Sequence, residues 1–414
     1  MDSWQIWIDT GGTFTDCLAL DPDENLHRRK VLSSSALRGS VIEWLDRRSL
    51  TVEERWGAPA DFISGFTFRL LGENHPPVEV AAFDPGRSQI RLSDEWMGPI
   101  DSGRSFEVQS EWEAPITAAR LITGTGSGQT LPPVELRLAT TKGTNALLER
   151  SGTPPDLFIT EGFTDLLAIG DQKRPELFAL EIKKPRPLYR NVVAVPERID
   201  AEGDRIRALD ADRLAGALPE QKADSRVRGS AAVCLMNAYR NPKHEEQVAA
   251  LLEEAGYSHI SVSSNLNPFV KIIPRARTTV VNAYLSPVLA NYLESVDAEI
   301  AEGSLRVMTS AGGLVTANRF NAKDSLLSGP AGGVVGASAV GKECGFERMI
   351  SFDMGGTSTD VSRYDGGFDY LFEHTVGDAR LAAPALSIET VAAGGGSICG
   401  FDGFKLTVGP ESAG

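Results

Sequence analysis

Two eight-residue stretches carry side chains in an order that can do chemistry, Asp9-Thr-Gly-Gly-Thr-Phe-Thr-Asp16 and Asp353-Met-Gly-Gly-Thr-Ser-Thr-Asp360. Both read D-x-G-G-T-x-T-D, identical at six of eight positions. Adjacent glycines let backbone amides approach an anion with no Cβ in the way. Thr13, Thr15 and Thr357 add hydroxyl donors for phosphate oxygens. The flanking carboxylates would repel phosphate, so they make sense with a divalent cation between, held directly or through water. The implied ligand is a metal-bound nucleotide. Gly11, Gly12, Thr13, Thr15, Gly355, Gly356 and Thr357 then form the phosphate cradle, and Asp9 and Asp353 position the metal. Asp16 and Asp360 either orient the attacking group and the metal shell or hold the turn. One copy alone would pass for an ordinary Gly-Gly hairpin turn; two matching copies weigh against that reading.

A third cluster, Ala392-Ala-Gly-Gly-Gly-Ser397, supplies Gly394, Gly395 and Gly396, a loop that can close over a flat base or ribose. The elements that position these residues are legible around them. Each octapeptide lies between short apolar runs, 4–8 and 349–352 on the leading side, so each reads as strand, tight glycine turn and returning strand. The glycine loop follows an apolar strand expected at 386–391.

Between the turns, spacing predicts a helix over 39–48, and from about 50 to 133 short Gly- and Pro-punctuated alternation reads as hairpin strands, an inserted β module. Gly124-Thr-Gly-Ser-Gly128 lacks the glycine spacing of a dinucleotide loop and runs into Pro132-Pro133, so it is a plain loop. A strand at 134–139 leads through Thr140-Thr-Lys-Gly-Thr-Asn145 into a helix at 146–150, where Thr144 and Asn145 either touch a small polar substrate or cap the helix. Further strands are expected at 157–160 and 231–236, and helices at 210–218 and 244–255, with His244 at the surface. Arg275 and Arg277 enter a long apolar helix at 280–296 and either bind a carboxylate or neutralise local acidity. Gly336-Ala-Ser-Ala-Val-Gly-Lys-Glu343 nearly spells a P-loop. It fails on Glu343 and on its place inside a small-residue helix that opens at Ser328. A last strand is expected at 404–408.

At 414 residues, 42% hydrophobic and 23% charged, the chain can bury more than one core, and two or three domains are expected. A formal charge of −15 argues against nucleic acid or an anionic membrane as partner. Cys17, Cys234, Cys344 and Cys399 stand apart, with no C-x-x-C pair, and read as buried reduced thiols; the five histidines show no metal-ligand spacing. No signal peptide or membrane span is evident, so the cytoplasm is the expected compartment.

As a set, the two turns, the glycine loop, Lys142-Gly-Thr-Asn-Ala-Leu-Leu-Glu-Arg150, Ser328-Gly-Pro-Ala-Gly-Gly-Val-Val-Gly336 and Val408-Gly-Pro-Glu-Ser-Ala-Gly414 resemble the hydantoinase A and 5-oxoprolinase family, within the actin/Hsp70 and sugar-kinase ATPase superfamily. The resemblance implies an α/β fold with two ribonuclease-H-like halves around an ATP cleft, the β module inserted at about 50–133. Its N-terminal domain would be 1–200 and its ATPase domain 201–414, stopping inside a motif as a piece of a longer polypeptide would. It implies ATP and Mg²⁺ as cofactors, and a cyclic amide opened at the expense of ATP. The wording at 384–396 points to 5-oxo-L-proline, giving L-glutamate through a phosphorylated lactam. Alternatives are an N-methylhydantoinase, a ketone carboxylase subunit and, from a different class, an actin-like ATPase that switches shape for a partner. A hydantoinase B-type subunit or a fused C-terminal region, and an oligomeric state, are further implications.

Overall fold

The computed structural model describes residues 3–171, 178, 184–220, 228–356 and 358–413. The chain packs as two compact units. The first holds Met1–Lys142, Asn291–Met308 and Leu314–Arg319; the second holds Gly143–Ala290, Thr309–Gly313 and Phe320–Gly414. This division differs from the expected one at residue 200, because strands near residue 300 are needed to finish the first unit's sheet.

That sheet has six strands. β1 (Trp4–Thr10), β2 (Phe14–Leu20) and β3 (Leu26–Leu32) form an antiparallel meander. A strand that follows much later in the chain, β10 (Val134–Thr140), pairs parallel to β1, and Gly303–Met308 pairs parallel to β10, with Leu314–Thr316 at the edge. Burial follows centrality: Val134, Leu136 and Leu138 of β10 are fully buried, and β1 turns Ile6 and Ile8 inward and Trp7 outward. Gly303 has φ +128°, and a Cβ there would overlap the Val134 carbonyl oxygen, so only glycine lets the two strands approach.

After β3 the chain builds a closed barrel of β4 (Ala36–Trp44), β5 (Ser49–Glu54), β6 (Thr67–Leu70), β7 (Val78–Asp84), β8 (Gln89–Leu92) and β9 (Ser105–Gln109), in the order β4-β5-β8-β7-β6-β9. Its interior is aromatic: Phe68 meets Phe106 at 5.3 Å and Trp96 at 5.6 Å between ring centroids, and Trp56 meets Phe83 at 5.8 Å. The helix expected over 39–48 is therefore a strand. Val41 is buried, whereas Ile42 and Leu45, on the supposed helical face, are half exposed; a Cβ at Gly39 would stand 2.7 Å from both Glu53 O and the Phe106 ring. Alternation and barrel closure override an apparent 3.6-residue period. The β texture also begins before residue 50 and ends at β9, for α1 (Ala114–Thr123) is a buried helix on β2 and β3, opened by Pro115 and stopped by Gly124 at φ 69°.

The second unit is organised on a parallel sheet, in which β11 (Asp156–Thr160) lies between β12 (Asn191–Val195) and Arg228–Cys234, with Tyr257–Val262 beyond. Phe158, Ala231 and Val233 are fully buried in its core. The helix expected at 146–150 is α2 (Lys142–Leu148), which starts earlier because the Thr140 hydroxyl accepts from the Lys142 amide at 3.1 Å. The small-residue helix Ser328–Glu343 is continuous, in keeping with the rejected P-loop. The strand expected at 386–391 is two short ones, Ala385–Leu386 and Glu389–Val391, and the last strand is Leu406–Ser412, paired with Ser397–Phe401. Cys17 and Cys234 are buried, as expected, but Cys344 and Cys399 are exposed. Among the described residues no helix is long and apolar enough to cross a membrane.

Candidate active site

The first turn closes the β1–β2 hairpin in the register Asp9 opposite Asp16 and Thr10 opposite Thr15. The Gly11 amide donates to Phe14 O at 3.0 Å, which pinches the turn and leaves Gly12 and Thr13 exposed at its tip. From the end of β3, the Ser33 amide donates to Thr13 O (2.9 Å) and the Ser33 hydroxyl to Gly11 O (2.8 Å), with the buried Thr15 hydroxyl 3.1 Å away. Lys30, opposite Asp16 across the β2–β3 ladder, holds that carboxylate at 2.8 and 3.0 Å. Beneath the turn, Tyr292 is buried beside Thr10 and Thr140, and burial pushes its phenol well above the usual tyrosine range. Cys17, one position past Asp16, is likewise pushed up to about 12 by burial, so it is not a nucleophile.

The second turn repeats the design. Arg348–Met354 and Thr359–Asp365 pair with Asp353 opposite Asp360, and the Gly355 amide donates to Ser358 O at 2.9 Å. Thr357 lies outside the described residues. The Gly394–Gly396 loop is docked onto this turn: the Gly395 amide donates to Gly355 O at 2.9 Å and the Gly396 amide to Gly356 O at 2.7 Å. The buried Thr359 hydroxyl donates to Ala393 O at 2.6 Å, and the Gly394 amide donates to Ser397 Oγ at 2.8 Å, which closes the loop on itself. Asp360 accepts from Thr390 on the neighbouring strand at 2.6 Å. The small-residue helix passes so near that a Cβ at Gly333 would stand 3.8 Å from Asp353 Oδ2, and one at Gly341 would overlap the Met349 thioether. Close packing therefore explains Gly341, whereas a Cβ at Gly333 would make only ordinary contact and one at Gly336 would meet nothing within 4 Å.

In both turns the first glycine amide is used by the hairpin itself. Gly12 and Gly356 lie exposed at the tips, with Asp9 and Asp353 two residues before the pinching amides of Gly11 and Gly355. Among the described residues no three His, Cys, Asp or Glu side chains converge as a metal cluster. One carboxylate beside a phosphate cradle fits Mg²⁺, which keeps most of its waters and takes further ligands from the nucleotide.

The expected substrate residues separate. The Thr144 hydroxyl is spent on Leu326 O at 2.6 Å, and both Thr144 and Asn145 lie inside α2. Arg275 is fully buried: it donates to Ser263 Oγ and Leu235 O, both at 2.8 Å, and lies 3.8 Å from the buried Glu245, which favours the neutralising reading. Arg277, two residues on, faces a cavity beside Asp171. His244 is not at the surface; it is buried against Glu197 at 2.7 Å, itself bonded to Thr160. Sequence reasoning missed Lys30 and Thr390, which lie on the strand paired with the second strand of each hairpin, and Ser33, just past the end of β3.

The fold, two mixed α/β units each with the same glycine-pinched hairpin, is similar to that of the nucleotide-free structure of acetone carboxylase, titled for ATP-dependent acetone carboxylation (TM-score 0.65, 20% identity), and to that of the ATP-dependent caprolactamase from Pseudomonas jessenii (TM-score 0.67, 24% identity); each alignment covers 99% of this chain and 51% of the other. Residues 275–414 match the family described as hydantoinase/oxoprolinase, and residues 5–65 and 98–256 match the hydantoinase/oxoprolinase N-terminal region. The chain belongs to the hydantoinase/oxoprolinase family. It is 40% identical over 333 residues to 5-oxoprolinase 1 of Arabidopsis thaliana, an alignment that takes in 73% of this chain and 26% of that protein. The chain thus spans about a quarter of that relative. Residues 66–97, which include β6, β7 and β8 of the barrel, fall between the two matched segments.

Proposed function

We propose that the chain is the ATP-binding portion of an ATP-dependent cyclic amidase whose substrate is 5-oxo-L-proline. The observation that carries this reading is the repeated hairpin, built twice to one register and pinched by one amide bond, with a glycine loop hydrogen-bonded to the second copy. The order β3-β2-β1-β10, an antiparallel meander continued by a parallel strand, supports a ribonuclease-H-like half.

Gly12 and Gly356 present amides to phosphate oxygens, and Asp9 and Asp353 would hold Mg²⁺ through carboxylate or water. ATP would supply the phosphoryl group that makes an unstrained lactam carbonyl electrophilic. Ring opening to glutamate with ADP and phosphate then consumes two waters, one at the amide and one at the phosphoryl bond. Lys30 and Thr390 fix Asp16 and Asp360 and so set the walls beside each cradle. The catalytic water-handling groups beyond the turns would come from the remaining three-quarters of a relative-sized polypeptide, fused or as a hydantoinase B-type subunit.

The test is ATP hydrolysis by the whole polypeptide with and without 5-oxoproline, following phosphate and glutamate together, with Asp353→Ala as control. Coupled release that vanishes in the variant is expected. ATP turnover without glutamate, but with bicarbonate-dependent consumption of a ketone, would transfer the reading to the carboxylase branch, which the likeness to acetone carboxylase favours as second choice.

A further inference from the structure

The second hairpin has an apolar face that the described residues leave in solvent. Arg348–Met354, Thr359–Asp365 and Glu389–Val391 make a sheet of three strands, with Arg348–Met354 at one edge. Asp353 and Met349 turn towards the small-residue helix, so Ile350, Phe352 and Met354 point the other way. Phe352 stands opposite Val361 and Thr359 opposite Val391, which puts Val361 and Val391 on that same outer face. Ile350 is 72%, Phe352 66% and Val391 55% exposed. Among the described residues no strand pairs with the outer edge of Arg348–Met354.

The first unit shows the same surface finished. Aligning Asp9 with Asp353 sets Ile6 against Ile350, Ile8 against Phe352 and Cys17 against Val361, while Val31 and Val391 hold the same place on the third strand. There Ile6 is 0%, Ile8 3% and Val31 5% exposed. The helix α1 packs on that side of β1, β2 and β3, and β10 pairs in parallel with the edge of β1 that β2 leaves free. Just past β10, the Thr141 amide and hydroxyl donate to Thr10 O at 2.9 and 3.2 Å and brace the strand that enters the turn.

We infer that the outer face of Arg348–Met354 is the docking surface for a helix followed by a strand, both from polypeptide beyond residue 414. The strand pairs in parallel with the free edge, and the helix lays an apolar stripe on Ile350, Phe352 and Val391, as β10 and α1 do in the first copy. One such unit meets both needs, because a parallel strand is reached through a crossover, most often a helix. An open apolar edge strand is otherwise a template for aggregation. There is chain to supply the unit: the two structures of similar fold each carry about half their length outside the aligned part. A second copy fits less well, since twofold edge-to-edge pairing sets two strands antiparallel. The consequence reaches the site, for the end of the docked strand comes level with Met354 and braces the second turn as Thr141 braces the first.

The test uses the whole wild-type polypeptide and needs no substrate. Hydrogen exchange read residue by residue along Arg348–Met354 is expected to show every amide slowed by about 100-fold or more, those on the outer edge included. Protection of alternate amides only, as for a strand paired on one side, overturns the inference. The occupant is identified with a photo-crosslinking benzoylphenylalanine placed at Val391, at the rim of the face. A cross-link within one molecule to a peptide beyond residue 414 sustains the inference. A cross-link to residues 1–414 of a second copy, a cross-link to a separate subunit, or no cross-link in a folded variant overturns it; should the variant not fold, the wild-type exchange pattern decides.

Discussion

Replacing Gly395 isolates what the glycine loop contributes. Its amide donates to Gly355 O at 2.9 Å, its φ is not in the left-handed region, and a Cβ there would meet only Gly355 O, at 3.8 Å. Gly395→Ala therefore keeps the donor and fits the space. Gly395→Pro removes the donor. A net backbone hydrogen bond is worth ~1 kcal/mol, and leaving the Gly355 carbonyl without its partner adds up to about as much again. Freeing the turn by about 1–2 kcal/mol should weaken ATP binding by roughly 5- to 30-fold in the Pro variant and by less than about twofold in the Ala variant. Equilibrium titration with a fluorescent ATP analogue measures both. If Ala and Pro weaken binding equally, the glycine is needed to leave room for the ligand, and the argument from loop docking is refuted.

Gly303→Ala should prevent the first unit from folding, since its Cβ overlaps the Val134 carbonyl between two central strands; soluble yield and the urea midpoint report this. Asp156→Asn should destabilise the second unit by about 2–4 kcal/mol in urea, less than a wholly buried pair would lose, because Arg190 stays nearly half in water. Burial alone would raise the Asp156 pKa, but the hydrogen bonds from Arg190, Tyr257 and Asn191 outweigh it and hold the carboxyl below its ordinary value. A carboxyl depressed on folding stabilises above its unfolded pKa of about 3.9 and stops doing so as pH falls through the folded one. The wild type should therefore lose this contribution on acidification below about pH 4, while the Asn variant shows no corresponding step. Native protein at pH 8 should expose Cys344 and Cys399 to a thiol reagent, whereas Cys17 and Cys234, buried and both pushed up to about 12, should react only after denaturation; four fast thiols in the native state would contradict the packing.

Much of the site was legible because its signals are local. Two glycines between two apolar runs determine a hairpin from its own residues, and both hairpins form where the pattern places them. The misread segments are those whose partners lie far along the chain. The 39–48 stretch has apolar residues at helical spacing, yet its structure is decided by β5 and β9 on either side of it in the barrel. His244 looks like a surface residue until Glu197, 47 positions earlier, is brought against it by the parallel sheet. Arg275 and Arg277 are nearly indistinguishable in sequence. On a helix, a two-residue step turns the side chain through about 200°, so one enters the core and the other the cavity.

The repeat itself is longer than its octapeptide. In the first unit Lys30 and Val31 of β3 stand opposite Asp16 and Thr15; in the second, Thr390 and Val391 stand opposite Asp360 and Thr359. Each meander therefore has the same third strand in the same register, although in one it follows directly and in the other it comes after a further stretch of chain from residue 366 to 388. What comes off that strand differs. In the first unit Ser33 bonds the turn through its amide and hydroxyl; in the second the Gly395 and Gly396 amides do so. A serine at that place ties the turn shut with a side chain, whereas glycines tie it with backbone alone and leave the face above the loop clear of side chains. The two copies thus share a hairpin frame and differ in what ties the turn shut. Under the proposed ATP reading, the adenosine would lie with the second turn and the first turn would serve phosphate alone.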